Sequence, residues 1–431
     1  MQTSRQIFDN SLPKSAEPVC AKVLLTATVE WPNVPTLAIG LARAGCDVSV
    51  VCPPGCPLPK NHALRQTFRH RSFDPLKTLT SAVKAVRPEI IIPCDDQAVE
   101  QLHELHAGAC RREPANEITA LIEKSLGPPD SYPIVRSRYE LLKVAQEQGI
   151  RVPDTRRVQS VADLRSWQAQ HPFPWVLKTD GTWGGYGVKI AHTPEQAEQY
   201  FHKLNRFFSF GRVLKRLCVN RETSWLWPWW NDSKPAISVQ SYIHGRPANC
   251  AVVCWAGEVL AVIGVEVVST VGDTGRASVV RISDNVEMAH AARRIAERLK
   301  MSGFFGLDFM IEEKSSFAYL IEMNPRLARP FHLQLGKGRD LIGALCARIS
   351  NRPARDLPPV TENRMVAYFP DAWESESEYL ASSYHDTPEE EPDLVQQLRQ
   401  ARQPGLLLRL MSQADGLKLF QPASRPKANG C

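Results

Sequence analysis

Asp308, in "GLDF", and Glu322 and Asn324, in "IEMNPR", are the residues whose types and spacing could do chemistry. Side chains alternate along a strand, so Glu322 and Asn324 point to one face, and Asp308 joins them if its strand is the neighbour. Two carboxylates and an amide oxygen converging this way suit Mg²⁺, which takes a few oxygen ligands and leaves other positions to phosphate oxygens. Arg326 projects to the same side unless the strand has ended at Pro325. Taken alone, the set is also compatible with a solvated polar strand end. A second stretch, "WVLKTDGTWGGYGVKI", places four glycines within Gly181–Gly187, directly after Lys178 and Asp180. It reads either as a loop that closes over phosphates through backbone N–H groups, which glycine lets approach closely, or as a tight hairpin.

The elements that must position these groups follow from periodicity. "AKVLLT", "DVSVVC" and "EIIIPC" are short apolar runs alternating with helices over "PTLAIGLARAG" and about Leu76 to Val86, an order that predicts a parallel sheet with right-handed crossovers. The turn after the first run, "TATVEWPNVP", contains no glycine, which rejects a dinucleotide-binding fingerprint. A helix is expected from about Arg138 to Gln148, then an amphipathic helix capped by Ser160. "PWVLKTD" and "GVKIA" flank the glycine loop as two strands, followed by a helix with a capping box at Thr193 and Gln196. A loop inside a hairpin differs from a Walker-type loop, whose lysine opens a helix. Downstream, "AISVQSYI", "NCAVVCWA" and "EVLAVIGVEVVS" predict an antiparallel sheet, Asn285 to Lys300 a long amphipathic helix, and "FFGLDFMIEE" with "FAYLIEMNP" two more strands.

Composition bounds the function classes. The 431-residue chain, 43% hydrophobic and 23% charged, is that of a soluble protein of two or three domains. No apolar run is long enough to span a bilayer, and the polar first residues carry no signal-peptide core, so a cytoplasmic location is expected. Eleven cysteines, including "CPPGC" and the Cys250/Cys254 pair, lack matching zinc-ligand spacings and read as buried reduced thiols. The net charge of +6 is scattered, giving no nucleic-acid footprint and suiting anionic small molecules.

Five pieces in order, "SRYELLKVAQEQGIRVPDT", "VLKTDGTWGGYGV", "VQSYIHG", "GFFGLDFMI" and "YLIEMNPR", make the chain resemble the ATP-grasp superfamily over roughly residues 20 to 345. The resemblance implies an α/β and α+β fold: a parallel-sheet pre-ATP-grasp domain, then a two-lobed ATP-grasp domain with antiparallel sheets. It divides the chain into a polar lead-in (1–20), the pre-ATP-grasp domain (21–130), the ATP-grasp domain (131–350, its lid about 155–240) and a partly flexible C-terminal extension (351–431). It implies ATP with Mg²⁺, or Mn²⁺ in its place, as cofactors. Arg138 and Lys178 are implied to reach the nucleotide's phosphates, and Gly181, Thr182, Gly184, Gly185 and Gly187 to form the lid over them. Gln240, Tyr242 and Ile243 match the hinge that meets adenine, although the family often has glutamate at the first position. Asn249 is the nearest polar candidate for the ribose, whose contact stays open. Asp308, Glu322 and Asn324 match the metal ligands, and Arg326 an arginine that holds a carboxylate or the transferring phosphoryl group. Arg276, Ser278 and Arg281 stand where relatives have substrate- and phosphate-facing residues, Arg281 as a catalytic candidate.

The activity implied is an ADP-forming carboxylate–amine (or –thiol) ligase acting on small-molecule carboxylate and amine substrates through an acyl phosphate. The loop around "VEWPNVP" is expected to help shape the acceptor site. Alternatives are a bicarbonate-activating enzyme, since "EMNPR" resembles biotin carboxylases and carbamoyl-phosphate synthases, or a non-catalytic ATP-binding module tethered through a tryptophan-rich segment. That segment, "WLWPWW" (225–230), reads first as a buried insert, then as a peripheral membrane contact or an aromatic substrate wall. A homodimer is compatible with the family.

Overall fold

The computed structural model describes residues 21–400 apart from 63, 113–115, 181–186, 206–235, 273–274 and 376. The glycine loop's Gly181, Thr182, Gly184 and Gly185, and the segment 225–230, lie outside the described residues.

Three sheets carry the fold. The first is wholly parallel, in the order β3-β2-β1-β4, built from β1 (Lys22–Thr26), β2 (Asp47–Cys52), β3 (Gln66–Arg69) and β4 (Ile90–Pro93). Near-continuous apolar runs make β1, β2 and β4 buried strands, as parallel sheets covered on both faces require. The polar strand β3 is not visible in the hydrophobic pattern, because only one of its four residues is even half-buried.

The second sheet is antiparallel, in the order β5-β8-β6-β7: β5 (Thr155–Val158), β6 (Trp175–Thr179), β7 (Val188–Ala191) and β8 (Ile237–Ser241). Its helices are capped as the sequence predicts, Ser160 accepting from Asp163 N and Thr193 from Gln196 N. The β6–β7 hairpin closes with Thr179 N donating to Gly187 O at 3.1 Å.

The third sheet has seven strands in the order β13-β12-β9-β10-β11-β14-β15. These are β9 (Gly245–Trp255), β10 (Glu258–Thr270), β11 (Ala277–Ser283), β12 (Gly303–Glu312), β13 (Ala318–Asn324), β14 (Met365–Tyr368) and β15 (Tyr384–Asp386). All neighbours are antiparallel except β14 and β15. The stretch beyond residue 350, read from its composition as an extension, thus supplies two strands of the central sheet. Its Pro- and Glu-rich composition hides β14, a four-residue strand buried by what packs on it.

One face of the central sheet carries the helices Arg138–Glu147 and Val286–Leu299, whose apolar stripes bury Leu141, Ile295 and Leu299 against Phe305, Leu307 and Phe309. The other face carries the parallel sheet. Val23 and Leu25 of β1 share one buried cluster with Ala251, Ile263 and Val280, through the helices Asn33–Arg43 and Leu341–Ile349. Those helices cross so closely that a Cβ at Gly40 would strike Ile342. This packing sets the loops after β1 and β4 over the exposed part of the same sheet face, where Asp308 points.

Candidate active site

The site grows from the β12–β13 hairpin. Asp308 pairs in register with Glu322 on one side and with Asn249 of β9 on the other, so all three side chains share the face opposite Leu307 and Phe309. Asn324 ends β13 opposite Gly306, and a Cβ on Gly306 would strike the side chain of Ala328. The missing side chain lets the chain after Pro325 fold back across β12, which brings Arg326 and Arg329 over the strand ends.

Arg138 and Arg326 are each tied to carboxylates, Lys178 to a backbone carbonyl and Asp308 to an amide. Arg138 opens its helix behind the N-cap Ser137 and donates to Glu322 Oε1 at 2.6 Å, Asp180 Oδ1 at 3.3 Å and Thr179 O at 3.2 Å. Lys178, in mid-sheet on β6 and 4% exposed, donates to Ile321 O at 3.3 Å. Asn324 bridges Asp308 (2.9 Å) and Arg326 (3.1 Å), and Arg326 reaches across to Asp96 of the parallel-sheet domain at 2.9 Å.

Three cations, Arg138, Lys178 and Arg326, face four carboxylates, Asp96, Asp180, Asp308 and Glu322. The imbalance registers in the titration. Burial, and then the neighbouring Glu322, push Asp308 up to about 6. Burial alone would raise Glu322, but Arg138, Lys178 and Arg326 outweigh it and hold that carboxyl below its ordinary value. Burial, then Arg138, lowers Lys178 to about 8.

This donor set fits Mg²⁺. The oxygens are hard, two adjacent carboxylates lack a full complement of positive charge, and buried Asn249 Oδ1 beside Asp308 has no hydrogen-bond partner among the described residues. Among the described residues no group of three His, Cys, Asp or Glu side chains could hold a metal ion, so the third ligand in this set is the amide oxygen of Asn324.

The neighbouring strand supplies a polar slot. Gln240 of β8 is 1% exposed, shares a sheet face with Lys178, and its Nε2 has no partner among the described residues. Tyr242 and Ile243 follow, half-buried, in the connection to β9. A cleft of about 500 Å³ begins at Arg138, Asp308, Glu322, Asn324 and Arg326 and runs over the sheet to Arg276, Arg329, Tyr368 and Asp371, with Trp31, Pro32 and Asn33 as its opposite wall. The "VEWPNVP" loop is therefore a wall of the cleft.

Two sequence candidates are corrected. Arg281 is exposed on the opposite face of the sheet, in register with Glu266 and Met365, because odd and even positions of β11 diverge. It leaves the catalytic set. Ser278 is on the cleft side of β11 but fully buried and does not line the cleft. Arg276 does line it, paired to Asp371. Trp31 and Asn33 lie in the "VEWPNVP" loop expected at the acceptor site, whereas Asp96, Arg329, Tyr368 and Asp371 carry no such expectation; "PRLARP" is a local signal for Arg329, repeating an arginine three residues after Arg326.

Residues 227–330 match the model of the ATP-grasp domain. Solved structures share the arrangement over most of the chain. N5-carboxyaminoimidazole synthase from Aspergillus clavatus, solved with ADP and 5-aminoimidazole ribonucleotide, is 15% identical with a TM-score of 0.57, over 79% of this chain and 80% of that one. Biotin carboxylase from Campylobacter jejuni is 15% identical with a TM-score of 0.55, over 78% and 72%. L-amino acid ligase from Bacillus licheniformis is 12% identical with a TM-score of 0.53, over 78% and 76%. At these identities the likeness shows the fold. No curated protein matches in sequence. The chain has the ATP-grasp fold, and its residues 227–330 match the ATP-grasp domain. Among the described residues no helix is long and apolar enough to cross a membrane.

Proposed function

We propose that the protein is an ATP-dependent, ADP-forming ligase that activates a small-molecule carboxylate as an acyl phosphate and couples it to an amine or similar nucleophile. One observation carries this reading: Arg138, Lys178, Asp308, Glu322, Asn324 and Arg326 form one buried charge network at the mouth of a cleft whose other wall is the loop after β1.

In this reading Gln240, Tyr242 and Ile243 hold the adenine. Arg138 and Lys178 hold the phosphates, and the loop Gly181, Thr182, Gly184, Gly185 and Gly187 covers them and excludes water. Mg²⁺, held by Asp308, Glu322 and Asn324, supplies charge neutralisation at the phosphate chain when bound. Arg326, fixed by Asp96 and Asn324, orients the acceptor carboxylate in line with the γ-phosphorus through its fork of donors. A carboxylate oxygen attacks the γ-phosphorus, the bond to the β–γ bridging oxygen breaks, and ADP leaves. The nucleophile then attacks the acyl carbon and loses its proton, and the carbon–oxygen bond to phosphate breaks. The chain contributes position and charge and forms no covalent bond with the substrate.

Measuring ADP and phosphate release from Mg·ATP over pairs of acids and amines tests the reading. Release that requires an acid and is lost in Glu322→Gln supports it. AMP and pyrophosphate as products sink it. Release that requires bicarbonate alone assigns the carboxylating variant of the same chemistry instead.

A further inference from the structure

The end of the cleft far from Asp308 is a built site to which the activation chemistry gives no task. Arg329 is locked by Asn33 Oδ1 (3.1 Å from Nε), Asp371 Oδ2 (2.9 Å from one terminal nitrogen) and the Phe369 carbonyl (3.1 Å from the other). Its guanidinium lies 5.2 Å from the ring centre of Tyr368. Arg276 joins the same carboxylate, donating to Asp371 Oδ1 through Nε at 3.2 Å and a terminal nitrogen at 3.0 Å. Asp371 is 2% exposed and so anchors both arginines from below, two guanidiniums sharing one carboxylate. Arg276 itself is 44% exposed, and its second terminal nitrogen has no partner among the described residues.

Beside this pair, Tyr368 is 1% exposed, lines the cleft, and its hydroxyl has no hydrogen-bond partner among the described residues. Ser278 stands one residue past the Val279–Ala367 pair, next to Tyr368, and its buried hydroxyl also has no such partner. A buried hydroxyl left unsatisfied is destabilising, so a ligand that accepts from it is favoured. Burial keeps the Tyr368 phenol protonated, so toward an anion it is a donor.

We propose that this distal end is a carboxylate subsite: Arg276 and the Tyr368 hydroxyl receive a second, non-reacting carboxylate of the small-molecule substrate, on the platform made by Arg329 and Asp371. Two guanidiniums on one shared carboxylate suit an anion, and the Asp371 and Asp386 carboxylates nearby disfavour a dianion such as phosphate. Four strand spacings separate β12 from β14, so the two ends of the cleft stand on the order of 19 Å apart across the sheet. A one-carbon acid cannot touch both. The substrate class selected is an elongated molecule with a carboxylate far from the reacting group. The subsite's chemistry is the same whether that carboxylate belongs to the acid that is phosphorylated or to the amine that attacks it. Its role in turnover rests on the ligase reading, whereas its binding does not.

The test is calorimetric titration of the whole protein, without nucleotide, with dicarboxylates of increasing length from suberate to hexadecanedioate, monocarboxylates of equal length, and the matching ω-amino acids. Wild type, Arg276→Gln and Tyr368→Phe are compared, with melting temperatures confirming that each variant folds. At least one dicarboxylate or ω-amino acid binds about tenfold more tightly than its monocarboxylate, and each substitution removes about fivefold or more of that affinity. A dicarboxylate preference assigns the tail to the acid, and an ω-amino acid preference assigns it to the nucleophile. If no member binds better than its monocarboxylate, or if both variants bind like wild type, the subsite is refuted. ADP release is then read separately. Tight binding that the variants lose, with no ADP release from any pair, leaves the subsite and removes the ligase reading. ADP release indifferent to the second carboxylate does the reverse.

Discussion

At the metal end of the cleft Arg138 holds Glu322 and Asp180, Arg326 holds Asp96, and Asn324 joins Arg326 to Asp308. At the distal end two arginines share one aspartate, and the hydroxyl of Tyr368, which lines the cleft, has no partner among the described residues. The first region is a closed network whose carboxylates outnumber its cations, which suits it to a divalent ion and then a polyphosphate. The second keeps donors in reserve beside two guanidiniums on one shared carboxylate, which suits it to an organic anion. A charge network that is complete before the substrate arrives needs little reorganisation during transfer, and that is where electrostatic catalysis is strongest. Donors held back serve selection, because only a ligand bearing the matching acceptor satisfies them.

Breaking the metal end should have the largest effect. Glu322→Gln removes one of two adjacent carboxylates and the partner of Arg138, and kcat for ADP release is expected to fall about 10³-fold. Lys178→Met leaves the fold of the second sheet intact and is expected to lower kcat about 10²-fold, measured in the same assay. Breaking the distal end should change selection instead. Tyr368→Phe is expected to raise KM for the acid or amine about five- to tenfold while KM for ATP stays within about twofold, which steady-state kinetics separate. Gly306→Val forces a side chain against Ala328 and is expected to cost about 1–3 kcal/mol of stability by denaturant titration, with activity falling further because Arg326 is displaced. The smallest effect on stability has the opposite sign. Asp308→Asn relieves the like-charge neighbour of Glu322 and is expected to raise the melting temperature of the nucleotide-free protein slightly, although it removes a metal-end carboxylate and turnover falls as it does in Glu322→Gln.

The same contrast explains what could be read from residue order. The metal end is local in sequence: Asp308, Glu322, Asn324 and Arg326 sit within one hairpin, and strand alternation alone places three of them on one face. Arg138 and Lys178 came from a resemblance in motif order. The distal end draws on Asn33, Arg276, Arg329, Tyr368 and Asp371, which no periodicity links. Its assembly depends on β14 entering the central sheet from a Pro- and Glu-rich stretch that reads as a tail. Arg281 was misplaced for a related reason. Arg276 and Arg281 lie five residues apart in a strand-rich stretch, so alternation sends them to opposite sides, and only the sheet's register tells which side is the cleft. The parallel sheet was legible in its apolar strands and not in β3, whose residues are mostly exposed.

Product analysis of ATP turnover in wild type and Glu322→Gln, with Mg²⁺ and a panel of acids and amines, tests the acyl-phosphate chemistry most directly. The expected result is acid-dependent release of ADP and phosphate in equal amounts from wild type, with loss of about three orders of magnitude in the variant. AMP and pyrophosphate as products, or a variant that turns over ATP like wild type, would contradict it.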